Sequence, residues 1–239
     1  AEFLKLLINL VTNISYYGIF SIEKSSPLNH KLGIFAILIP VIGGILIGFI
    51  ARFVNRGVYG HGLPETMEKI ILNDSLIQKQ ILFLKPLSAS ISIGTGGPFG
   101  DEGPIIATGG ALGSTIAQWF KTNSYERKIL LAAGVAGAVS AAFGSLLGGV
   151  FLAIELMLFE FKPRSLVPVV LSSIAADLIR MKFVGRETAF VIPKVDLPDS
   201  TISLLCYFLI GLLVGLVAVC VTHAVFFLEK RFDKLPIHW

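Results

Sequence analysis

The sequence predicts an all-α, polytopic membrane protein built from broken and short helices. Two observations carry this. Of 239 residues, 54% are hydrophobic and only 15% charged, where soluble domains carry about 25% charged. The apolar segments are also repeatedly interrupted by glycine and proline, so several are too short to cross a bilayer, which needs roughly 20 residues per helix. A chain of this length holds about six to nine helical segments. The net charge of +4 is mild and scattered, and gives no case for nucleic acid as a partner.

Phe3–Phe20 reads as a helix, with Lys5 near its start, and Ser21–Lys31 as a loop holding Pro27. Ile34–Ala51 has no charge and is long enough to span. Within it, Gly44 and Gly48 have the spacing that lets membrane helices approach closely. Arg52 and Arg56 follow at once, which places that end on the cytoplasmic side. Asn55–Glu65, NRGVYGHGLPE, reads as a tight loop opening a short helix, with Glu65 in its first turn. Gln80–Ile93 reads as another short apolar helix, interrupted at Pro86.

Gly94–Gly113, GTGGPFGDEGPIIATGGALG, is the centre of the pattern. Asp101 and Glu102 are adjacent carboxylates in a strongly apolar chain. Pro104 suits a first helical turn, where its missing N–H would have no partner anyway. Glu102 therefore sits at the mouth of a helix N-terminus, where free N–H groups and the macrodipole attract anions. It can be a helix cap or a competitor for a mobile anion. The helix continues over Pro104–Phe120, with Gly109 and Gly113 again at close-approach spacing. The glycines superficially echo a dinucleotide fingerprint, but that motif needs a preceding strand in a βαβ unit.

Lys121–Lys128 reads as a polar turn. Ile129–Phe159 is too long for one untilted span, and its glycines and serines predict two helices with a break near Val139–Gly144. Glu155 is its only charge. Ser165–Phe183 reads as a helix on which Asp177 and Arg180, three apart, are expected to pair. Gly185–Ser200 reads as a loop, and Ile202–Leu228 as the longest clean span. Cys206 and Cys220 lie on the order of 20 Å apart on one helix, too far for a disulfide. No metal-ligand cluster and no nucleophile–base constellation appears, so neither a metal, nor another cofactor, nor enzymatic activity is expected. Broken helices at membrane depth must line a buried or wet cavity, and their converging N-termini make an anion site. The residues alone leave an anion pathway and a kinked helix bundle both open.

In register, these segments resemble the CLC family of chloride channels and chloride/proton antiporters. GHGLP at Gly60–Pro64 looks like the family's GSGIP loop, and GDEGP at Gly100–Pro104 looks like its GREGP motif. Ala132–Met157 is similar to the family's glycine- and alanine-rich helix pair. The resemblance implies an inverted-repeat fold, a homodimer in the lipid bilayer with one anion pathway per subunit, and a multi-pass location in the cell membrane. Residues 1–200 then correspond to the first repeat and 201–239 to the first helix of the second, so the chain is expected to hold only the first half of the fold. The family's second-repeat GxFxP-like loop and pore tyrosine have no counterpart in it.

By the same resemblance Glu102 is the gating glutamate, which occupies an anion site when ionised and leaves it when protonated. Gly60, His61, Gly62, Leu63, Pro64, Gly100, Asp101 and Gly103 are the implied anion-binding positions, with chloride as the transported ligand. His61 stands where many members have serine, and Asp101 where the commonest motif has arginine. The second change lowers the local attraction for anions. Glu155 matches a buried family glutamate and is a candidate for a proton pathway. Leu156 stands where many proton-coupled members carry a second glutamate, which favours passive conductance. The implied function is a voltage-gated chloride channel gated by protonation of Glu102. The alternatives are a chloride/proton antiporter and a non-conducting membrane scaffold.

Overall fold

A computed structural model describes residues 1–58, 62–185 and 201–232. The chain divides into two compact units, Ala1–Val191 and Ile192–Trp239. Among the described residues the first unit is helical throughout, with no strand. Its helices are α1 (Glu2–Tyr17), α2 (Leu38–Phe53), α3 (Leu63–Leu72), α4 (Ile81–Gly94), α5 (Glu102–Trp119), α6 (Ser124–Phe143), α7 (Leu146–Ala153) and α8 (Pro163–Val184). The second unit contributes α9 (Thr201–Phe232). Among the described residues, two helical segments are long and apolar enough to cross a membrane, Gly33–Phe53 and Thr201–Phe232.

Several boundaries differ from the sequence expectation for local reasons. The helix containing Pro86 is continuous, because α4 carries this proline inside it; a membrane helix tolerates the lost N–H bond when neighbours re-satisfy the freed carbonyl. The polar stretch Lys121–Lys128 is not all turn. Asn123 caps α6 by accepting the Glu126 N–H at 2.8 Å, so the helix starts inside it. The break between α6 and α7 falls at Gly144, in the left-handed conformation at φ 65°, and Ser145, whose side chain caps α7. Residues 186–200, most of the expected loop, lie outside the described residues.

The packing follows small residues. A Cβ on Gly109 would meet the Gly134 carbonyl oxygen at 2.5 Å, and one on Gly113 would overlap the Leu130 carbonyl oxygen. The backbones of α5 and α6 therefore touch, as the Gly109–Gly113 spacing predicts. Gly44 and Gly48 face open space, however, and Gly43 makes the close approach from α2, against Thr95. Leu131, Val135, Met157, Leu158 and Val169 form the centre of the apolar core. Serine hydroxyls tie α6, α7 and α8 together: Ser172 Oγ donates to Ala133 O at 2.7 Å, Ser140 Oγ to Ser173 O at 3.0 Å, and Ser173 Oγ to Leu146 O at 2.8 Å.

One end of this unit gathers the end of α2, the α3–α4 linker, the α5–α6 turn and the start of α8. Asn55 Nδ2 donates to Gln78 at 2.6 Å, Arg127 Nη1 to Asp74 O at 3.2 Å, and Lys128 Nζ to Leu158 O at 2.8 Å. Arg52, Arg56, Lys121, Arg127, Lys128, Lys162 and Arg164 lie there, which supports the cytoplasmic assignment made from Arg52 and Arg56. Asp177 does not fit the simple pairing expected for it: its Oδ1 is buried without a hydrogen-bond partner among the described residues. Arg180 instead packs over Gly144, where a Cβ would meet Nη1 at 2.8 Å.

Two outcomes are expected. Gly134→Val pushes α5 from α6 and should destabilise the unit by about 1–3 kcal/mol, read as a lower unfolding midpoint in detergent. The second concerns the turn before α8. There Glu160 accepts from Lys162 at 2.8 Å, Ser165 at 2.5 Å and Tyr125 at 2.7 Å. The Lys162 bond first, then those from Ser165 and Tyr125, hold its carboxyl down at about 2, from an ordinary value of 4.5. A depressed carboxyl stabilises above its unfolded value, and that contribution fades as pH falls from 4.5 towards about 2. Glu160→Gln should flatten the acid loss of stability across that window in thermal melts; superimposable pH profiles would show that the carboxylate does not secure the turn.

Candidate functional site

The site forms where two helices begin. Gly62 is the N-cap of α3 at φ 87°, a backbone region that side chains rarely enter. A Cβ there would lie 2.6 Å from Gly103 Cα and would overlap its carbonyl oxygen. The GHGLP and GDEGP motifs, remote in sequence, thus meet backbone to backbone. α3 carries Pro64 in its first turn and no side-chain cap bond. α5 starts at Glu102, with Asp101 as its N-cap residue and no side-chain cap bond. Its first backbone bond runs from Ile105 N to Asp101 O at 3.1 Å. Two uncapped N-termini therefore converge, each presenting open N–H groups and the positive end of its dipole.

Glu102 is exposed and folds back over Gly100, where a Cβ would run into its Oε2. It lines a cavity of 440 Å³ together with Gly100, Gly103, Pro104, Phe99 and Lys85. Asp101 does not line that cavity. Lys85 is the residue sequence reasoning missed. It is 3% exposed, and its Nζ donates to Val58 O at 3.0 Å and to Glu65 Oε2 at 2.6 Å. Its signal was a lone charge in the apolar run of α4, which inside a membrane marks function by default. It supplies positive charge to the cavity despite the carboxylate at Asp101. Breaking a buried pair by removing one partner costs on the order of 3–5 kcal/mol.

The other expected positions divide. Gly60 and His61 lie outside the described residues. Leu63 packs against the main core, so only its backbone faces the convergence of the helices. Pro64 and Glu65 line a second, polar cavity of 880 Å³. Glu155 lies on a π-helical turn, Ile154–Leu158, that continues α7. It is exposed in this unit rather than buried as the resemblance implied, and it lines neither of these cavities.

A family model described as voltage gated chloride channel matches residues 43–239. The chain belongs to this family. Among its members, the chloride channel protein CLC-f of Arabidopsis thaliana is 29% identical over 82% of this chain and 25% of that protein. The H(+)/Cl(−) exchange transporter ClcA of Vibrio cholerae is 31% identical over 73% of this chain and 38% of that protein. The crystal structure of a slow cyanobacterial Cl−/H+ antiporter has the same fold: it superposes with a TM-score of 0.76 at 23% identity, over 98% of this chain and 58% of that one. The chain thus spans between a quarter and three fifths of the length of these relatives. The inverted-repeat CLC fold is present through its first half, and the protein is a multi-pass integral membrane protein.

Gly62→Ala tests the backbone contact. Its methyl has no room against Gly103, so α3 and α5 must separate. We expect a loss of stability of about 1–3 kcal/mol, read as a lower unfolding midpoint in detergent.

Proposed function

We propose that the chain forms part of a transmembrane anion pathway that carries chloride and is gated by protonation of Glu102. The observation that carries this is the meeting of Gly62 and Gly103, which brings two uncapped helix N-termini together beside the Glu102 carboxylate. Ionised, Glu102 is a tethered anion next to N–H donors and the Lys85 ammonium. Protonated, it loses that attraction and yields its place to chloride. Backbone groups of Gly60, Gly62, Leu63, Gly100 and Gly103 make the coordinating set, with His61 as a further donor. The glycines permit close backbone approach to the ion. Two copies assemble as a homodimer in the bilayer, each with its own pathway, as the family resemblance implies.

Two relatives favour a second reading. ClcA is an exchange transporter and the cyanobacterial protein a Cl−/H+ antiporter, so coupled chloride/proton exchange stands beside passive, voltage-gated conductance. Leu156 favours conductance, since it takes no proton. Glu155 is the carboxylate that the resemblance offers for a proton route.

The gate is tested by chloride efflux from proteoliposomes between acidic and neutral pH. Glu102→Gln should conduct with no pH dependence across that range. A pH profile identical to that of the unmutated protein would remove Glu102 from the gate.

A further inference from the structure

Two cavities of the first unit each take one side chain of a single ion pair. Arg56, Glu65, Glu68 and Lys69 line the polar cavity of 880 Å³, at the end assigned to the cytoplasm. Lys85 and Glu102 line the gate cavity of 440 Å³. The pair Lys85–Glu65 joins them at 2.6 Å, with side chains 4% and 16% exposed. Lys85 is the only charge on α4 and Glu102 the only charge on α5. The π-helical turn near α3 offers Glu155 alone, and Glu155 is exposed. On α3 itself, Glu68 and Lys69 lie on the polar-cavity side, and Arg56 joins them from the preceding turn.

We propose that Glu65 is the proton-accepting carboxylate of the cytoplasmic side, and that Lys85 couples its protonation to anion occupancy at the gate. This rests on the coupled-exchange reading above. A proton from a hydronium ion in the polar cavity forms an O–H bond at Glu65, releasing water. The Lys85 ammonium keeps its own protons and loses its ionic partner. The pair passes from net zero to one positive charge, and that charge faces the gate cavity. A chloride ion entering there restores neutrality. When the proton moves on through water in the gate cavity to the Glu102 carboxylate, the Lys85–Glu65 pair re-forms and the hold on chloride weakens. The vacant chemistry at Leu156 is thereby supplied from α3 instead of from α7.

The test is proton and chloride movement in proteoliposomes under a chloride gradient, with chloride binding by calorimetry on the same preparations. Unmutated protein should move protons against chloride. Glu65→Gln fixes the neutral form, so it should keep chloride flux, lose proton movement and bind chloride about tenfold more tightly. Glu65→Asp retains a carboxylate and should retain coupling. The double variant Glu65→Gln, Lys85→Met leaves no unpaired buried charge and should bind chloride more weakly than the unmutated protein. Proton movement in Glu65→Gln at the unmutated ratio overturns the proposal, and so does chloride flux without proton movement in the unmutated protein. Equal chloride affinity in Glu65→Gln and unmutated protein overturns it by binding alone, whatever the flux. Folded unmutated protein that binds chloride but passes none would instead sink the transport reading, leaving the link between Glu65 and the anion to be judged from the affinities.

Discussion

Two backbones touch at the site where no side chain can stand. Gly62 holds a left-handed conformation against Gly103, and the rest of the arrangement follows from that contact. It aims the start of α3 and the start of α5 at a common point. Pro64 and Pro104 contribute no N–H, and no side chain caps the remaining first-turn donors of either helix. A helix that begins in a membrane needs partners for those donors, and an anion is the partner that suits both dipoles at once.

The helices that hold this contact are positioned by the same device on a larger scale. α5 and α6 cross with their backbones in contact at Gly109 and Gly134. Serine hydroxyls on α6 and α8 bond to backbone carbonyls across the helix contacts. In lipid there is little hydrophobic drive between helices, so close backbone packing and interhelical hydrogen bonds take its place. A small displacement of α5 would move Glu102 with it, since Glu102 is the first residue of that helix.

One buried ion pair stands beside the site. Lys85 is buried on α4, bonded to a backbone carbonyl and to Glu65. A lone ammonium at that depth would be expensive, and its carboxylate partner reduces the cost. The same partner also mutes the positive charge that the Glu102 cavity receives. Asp101, a negative charge in the motif, sits at the N-cap outside the cavity lining.

The amino-acid sequence by itself determined the membrane class, the existence of most helices and the position of Glu102 at a helix start, because these depend on local composition, proline chemistry and apolar run length. It also marked Gly109 and Gly113 as a close-approach spacing, though not α6 as the partner. It misplaced the close approach on α2, where Gly44 and Gly48 have the right spacing but Gly43 has the neighbour, since spacing does not tell which face meets another helix. It took Pro86 for a break, since the loss of one backbone bond is local while its compensation is tertiary. The tertiary structure alone decided that Gly62 meets Gly103, that Lys85 reaches Glu65 between two cavities, and that Glu155 stands apart from both. Each of these is a contact between segments remote in the chain, and no local property of either partner encodes which distant residue it will face.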